Sequence, residues 1–151
     1  MKLAEALSVR KDLQKRIAQL QSRIINNVKV QEGDEPLENP DELMKELNTC
    51  LKQLEDLIWR INATNMQCHN DKGETLTQLM ARRDVMTMQV NSLRSVFNTA
   101  SESPNRYSQS EIKMVTVVDV KKLGKKVDDL SAKLRVLDME IQALNFASDL
   151  K

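Results

Sequence analysis

Cys50, Cys68 and His69 are the residues of this chain with the types to hold a metal ion, and two of them are adjacent. A structural zinc site takes paired cysteines and histidines a few residues apart. Cys50 lies well outside that spacing, and His69 is the sole histidine. The cysteines also fall on one predicted helix, whose rise separates them by about 27 Å, beyond the reach of a disulfide. They read as two small residues on a packed face beside a loop histidine. No metal and no cofactor is expected. Nucleophilic catalysis needs a base beside a serine or cysteine, and no local motif supplies one. The three glycines, Gly33, Gly73 and Gly124, are scattered, so no glycine-rich loop can cradle phosphate. Glu32, Asp34 and Glu35 lie in a loop without the ligand spacing of a calcium site. Asp128 and Asp129 belong to a solvated helix face. No catalytic residue is assigned, and the chain is not expected to be an enzyme.

Two arginines stand where apolar residues belong. Arg10 and Arg83 occupy positions on the apolar seams described below. A charge carried into a packed face needs a partner, and Asp12, Asp84 and Glu140 are the candidates. We read Arg10, Arg83 and Asp84 as a polar layer that sets helix register; anion binding is the functional alternative. The eight methionines, among them Met80, Met86 and Met88, could give an adaptable binding surface. Their helical spacing favours core filler.

These residues must be positioned by long helices. Breakers cluster at residues 29–40, with Gly33, Pro36 and Pro40, at 69–74, with Gly73, and at 101–107, with Pro104. Between them lie four segments in which apolar residues recur at alternating steps of three and four. The first, about 2–28, has the seam Leu3, Ala6, Arg10, Leu13, Ile17, Leu20, Ile24 and Asn27. The second, about 41–68, has Leu43, Leu47, Cys50, Leu54, Leu57, Ile61, Thr64 and Cys68. Asn39 can cap it, with Pro40 in the first turn and Glu42 as capping-box acid. The third, about 76–100, has Leu76, Leu79, Arg83, Met86, Val90, Leu93, Phe97 and Ala100, and Thr75 with Gln78 can cap it. The fourth, about 119–147, has Val120, Leu123, Val127, Leu130, Leu134, Leu137, Ile141 and Leu144, an unbroken apolar heptad seam. Gly124 inside it costs about 1 kcal/mol relative to alanine and marks either a close helix approach or a tolerated weakness.

Residues 112–118 are rich in β-branched types and predict a short strand. A lone strand leaves backbone groups unpaired, so Val28-Lys29-Val30-Gln31 or a second copy of the chain should pair with it. The fold class expected is all-α: one domain, residues 1–151, built as an elongated antiparallel bundle of about four long amphipathic helices in coiled-coil-like hairpins, with one short β segment before the last helix. Leu7, Val9, Ile25, Leu51, Ile58 and Met88 widen the stripes beyond what one neighbouring helix covers.

Composition narrows the function classes. Hydrophobic residues make up 40% and charged residues 30% of the chain, far from the disordered regime. The formal net charge is +1, with both signs interleaved, so nothing draws nucleic acid or an anionic membrane. Even the run Lys121-Lys122 and Lys125-Lys126 meets Asp128-Asp129. No apolar run approaches the length of a membrane span, and stable membrane insertion is not expected. Met1-Lys2-Leu3-Ala4-Glu5 places an acid where a secretory signal carries its apolar stretch. A cytoplasmic location is expected.

Several stretches recur in order along the chain: Lys2-Leu3-Ala4-Glu5-Ala6-Leu7, Asp12-Leu13-Gln14-Lys15-Arg16, Val30-Gln31-Glu32-Gly33, Ile61-Asn62-Ala63-Thr64-Asn65, Ala81-Arg82-Arg83-Asp84, Arg106-Tyr107-Ser108 leading to Glu111-Ile112-Lys113, Val118-Asp119-Val120 and Val127-Asp128-Asp129-Leu130. As a set they resemble the septicolysin-like family of small bacterial proteins. The resemblance implies an all-helical fold, and the family's name implies a membrane-active cytolysin. It supplies no catalytic residue. Phe146 stands where the resemblance would put tryptophan. One motif of the set coincides with the irregular segment before the last helix. Arg106, Tyr107, Glu111, Lys113 and Val115 are therefore the candidate interaction surface. The function expected is a self-associating helical structural or interaction protein, a homo-oligomer with no other partner identified; the alternative is the membrane-active toxin.

Overall fold

The structure, a computed structural model, describes residues 1–102 and 112–151. The described residues form four helices: α1 (Leu3–Asn27), α2 (Pro40–Gln67), α3 (Leu76–Ser101) and α4 (Val120–Ala147). Steps of three and four place residues on one face of an α-helix. Every residue of the four seams is accordingly buried or half-buried. The ends follow from local chemistry. Asn39 accepts a hydrogen bond from the Asp41 amide at 2.9 Å, and Pro40 opens α2. Asp119 caps α4 by accepting from the Lys122 amide at 3.0 Å. Between α2 and α3, the Asn70 side chain accepts from the amides of Lys72 and Glu74, closing a turn in which Gly73 takes a φ of 78°.

The chain packs as two compact units: Met1–Leu76 with Gln142–Lys151, and Thr77–Ile141. In the first, α1 and α2 run antiparallel. Arg16 pairs with Glu46 and Arg23 with Glu38, so positions rise on one helix as they fall on the other. Leu20, Leu43 and Cys50 form the core between them, flanked by Leu13, Ile17, Ile24 and Leu47. A buried aliphatic side chain of this kind contributes about 1.5–3 kcal/mol. Asn27, buried at the end of α1, donates to the Arg23 carbonyl at 2.9 Å and accepts from the Glu38 amide at 3.0 Å. Its amide thus satisfies both the helix end and the returning chain.

The last four residues are tied into the same unit. The Leu3 amide donates to Ser148 and the Leu150 amide to Met1, both at 2.9 Å. The Lys151 amide donates to the Thr64 hydroxyl at 3.1 Å, and Arg60 donates to the Lys151 carbonyl at 2.8 Å. Lys2 pairs with Asp149 at 2.9 Å.

In the second unit α3 and α4 are antiparallel too. Phe97 lies against Gly124, Arg94 reaches Ser131, and Arg83 lies 4.0 Å from Asp138. Leu79, Val90, Val127, Leu137 and Ile141 are its buried residues. A Cβ on Gly124 would lie 2.9 Å from the Phe97 ring. Glycine therefore marks a close helix approach.

One expected element is missing. Residues 112–118 form neither strand nor helix, and the described residues contain no sheet, only the isolated bridges of Lys2 with Asp149 and His69 with Thr75. The expected partner, residues 28–31, is taken up by the α1–α2 connection, where the Gln31 carbonyl accepts from Asp34. The segment is instead fastened by its side chain: the Thr116 hydroxyl donates to the Ala100 carbonyl at 3.1 Å. β-Branched residues favour a pleated surface only where a partner strand exists to pair with.

Candidate interaction surface

The last turns of α3 place Ser95, Val96 and Thr99 toward residues 114–118, and the two together bound a cleft of about 710 Å³. The Thr116–Ala100 hydrogen bond holds the cleft's far wall to the helix. Half of its lining residues are valine or methionine, with serine, threonine, alanine and Glu102 making the rest. The segment also turns apolar side chains outward: Ile112 is 94% and Val117 90% exposed, and Met114 and Val115 are largely exposed as well. An apolar patch of this kind on a folded chain is a candidate contact surface. Of the five candidate interaction residues, Lys113 and Val115 are exposed here. Arg106, Tyr107 and Glu111 lie outside the described residues.

The candidate polar layer resolves differently at its two arginines. Arg83 is half-buried and donates through Nε and Nη2 to Asp84, at 3.0 and 2.8 Å, with Asp138 of α4 4.0 Å away. Asp138 was not among the acids the sequence singled out. Arg10 is half-buried in α1, where the described ion pairs to α2 and its approach belong to Arg16 and Arg23. Arg83 thus has a carboxylate on its own helix and a second on the neighbour, an arrangement that neutralises its charge rather than presenting it to an anion.

The cysteines and histidine do not converge. Cys50 is buried in the α1–α2 core, Cys68 caps the end of α2 with its sulfur 2.8 Å from the Ser148 hydroxyl, and His69 pairs with Thr75 through the backbone. Among the described residues no group of three or more His, Cys, Asp or Glu is placed to hold a metal ion. The Cys68–Ser148 contact joins positions far apart in sequence, and no local motif could have revealed it.

The carboxyls held clearly off their ordinary range sit in surface pairs. The hydrogen bond from Arg23 holds the Glu38 carboxyl below its ordinary range, and that from Lys2 does the same for Asp149. These pairs brace a connection and a terminus.

The comparisons agree with this fold. A crystal structure of a functionally unknown conserved protein from Corynebacterium diphtheriae superposes with a TM-score of 0.92 at 36% identity, covering 100% of this chain and 99% of that one. No curated protein matches the chain. Residues 10–150 match the model of a family of unknown function, DUF6847. The chain belongs to that family, DUF6847.

Proposed function

We propose that the chain is a self-associating helical module that works by contact, without catalysis, in the cytoplasm. The observation that carries the reading is the outward-facing apolar segment at 112–118, beside the cleft on α3. Its valines, isoleucine and methionine gain about 25 cal/mol for each Å² removed from water. Among the described residues no catalytic constellation competes with that reading at the same place. The interleaved charges and a net charge of +1 argue against nucleic acid as the partner. Membership of the septicolysin-like family is part of the same proposal, resting on the ordered motifs from Lys2 to Leu130. The cytolytic activity implied by that name is the competing reading. Among the described residues no helix is long and apolar enough to cross a membrane. Dye release from liposomes tests it: dose-dependent leakage would favour the toxin.

Light scattering on a sizing column tests self-association. The wild-type chain should elute with the mass of an oligomer. Val115→Asp with Val117→Asp, both on the exposed segment, should lower that mass. A monomeric wild-type mass would overturn the proposal.

A further inference from the structure

The net charge of +1 conceals two local excesses of opposite sign. Residues 28–42, the α1–α2 connection and the first turn of α2, carry Glu32, Asp34, Glu35, Glu38, Asp41 and Glu42 against Lys29 alone, a balance of −5. Glu38 is taken by Arg23, and the other five acids are exposed. Residues 102–126, from the end of α3 into the second turn of α4, carry Arg106, Lys113, Lys121, Lys122, Lys125 and Lys126 against Glu102, Glu111 and Asp119, a balance of +3. At 3.6 residues per turn the four lysines of α4 fall within an arc of about 140°, on the face away from its packed seam. All four are exposed, as is Lys113. Asp129 closes the patch one turn further on.

Each excess surrounds apolar side chains left to solvent. At the acidic tip Leu37 is 99% exposed, and Val28 and Val30 are exposed beside it. Next to the lysines stands the outward-turned segment 112–118. The charges say what each surface accepts. Two basic ends would set lysine against lysine, and two acidic tips carboxylate against carboxylate, so neither surface fits its own copy. The basic end fits an acidic tip. Opposite charges then meet around apolar side chains, and the cleft between α3 and residues 114–118 has room for Leu37.

We propose that the acidic tip at 28–42 of one copy of this chain docks on the basic end at 112–126 of a second copy. The proposal rests on the self-association argued above and names the two surfaces that make it. Different patches meet in such a contact, so the assembly closes as a ring or grows.

Charge reversal in the full-length chain tests the pairing. Glu32→Lys with Asp34→Lys and Glu35→Lys reverses the tip; Lys121→Glu with Lys122→Glu and Lys125→Glu reverses the end. Either variant alone should associate at least about tenfold more weakly than wild type. Mixed in equal amounts, the two should regain the wild-type mass, because reversed tips then meet reversed ends and native tips meet native ends. Leu37→Ser removes a side chain that the single chain leaves in solvent, and should weaken association about tenfold. Every substituted position is exposed, and circular dichroism confirms that each variant keeps its helices. An end variant that associates more tightly than wild type shows basic ends meeting one another, and overturns the contact. So does a wild-type oligomer indifferent to the reversals or to Leu37→Ser, or a mixture that stays dissociated. Each of these results leaves self-association standing; a monomeric wild type overturns both.

Discussion

Gly124→Ala measures how closely α3 and α4 approach. The added Cβ would lie 2.9 Å from Cε2 of Phe97 and 3.5 Å from Cδ2 and Cζ. Two effects oppose each other. Alanine favours a helix interior over glycine by about 1 kcal/mol. Overpacking a fitted site costs about 1–3 kcal/mol. Phe97 is half-buried, so its ring can yield toward solvent, which puts the steric cost near the middle of that range, about 2 kcal/mol. Packing therefore outweighs propensity, and Gly124→Ala should destabilise the chain by about 1 kcal/mol. Leucine at position 97 lacks the ring carbon that makes the tight contact. In a Phe97→Leu background the same change should stabilise by about 1 kcal/mol, because only the propensity remains. The two substitutions should thus couple by about 2 kcal/mol. Urea unfolding of the four proteins, followed by circular dichroism, gives each value. If Gly124→Ala stabilises the wild-type chain as much as the Phe97→Leu chain, the close approach of the two helices is wrong.

Asn27→Leu puts an apolar residue at the last seam position of α1, where periodicity would ask for one. It should nevertheless cost about 1 kcal/mol, because the part-buried Glu38 amide loses its acceptor; urea unfolding reads the loss. Thr64→Val keeps shape but removes the hydroxyl that accepts from the Lys151 amide, so native-state amide exchange at Lys151 should quicken while Leu79 and Val90 stay protected. Acid should weaken the fold at Glu38 and Asp149, whose carboxyls are held low by hydrogen bonds from Arg23 and Lys2. A lowered folded value means that the stabilisation is complete above the ordinary carboxylate range and disappears as pH falls through the folded one. Urea midpoints should therefore drop between neutral pH and about pH 3. The drop should shrink in Arg23→Gln and in high salt, since both pairs are exposed.

The helices were legible because their signal is local and repetitive. Seams such as Val120, Leu123, Val127 and Leu130 state a helix, its buried face and its length at once, and Asn39-Pro40 and Asp119 mark where helices begin. The strand at 112–118 was misread because β-branched composition reports a preference that becomes structure only with a partner, and residues 28–31 were committed to a turn. The clasp of residues 148–151 was invisible, since it is built largely from backbone amides that carry no residue signature. Arg83 announced a need for a carboxylate, and Asp84 was legible as its neighbour. Asp138 was not, because which residue of α4 lies across from Arg83 depends on an inter-helix register that periodicity leaves open. For the candidate surface, Lys113 and Val115 stand on the described segment, while the arginine and tyrosine of its motif fall outside it.

Sedimentation equilibrium of the unmodified chain, over a dilution series at neutral pH and moderate salt, tests self-association most directly. The account predicts a mass that is a multiple of the chain's own at high concentration and falls toward a single chain on dilution. A single-chain mass at every concentration would contradict it.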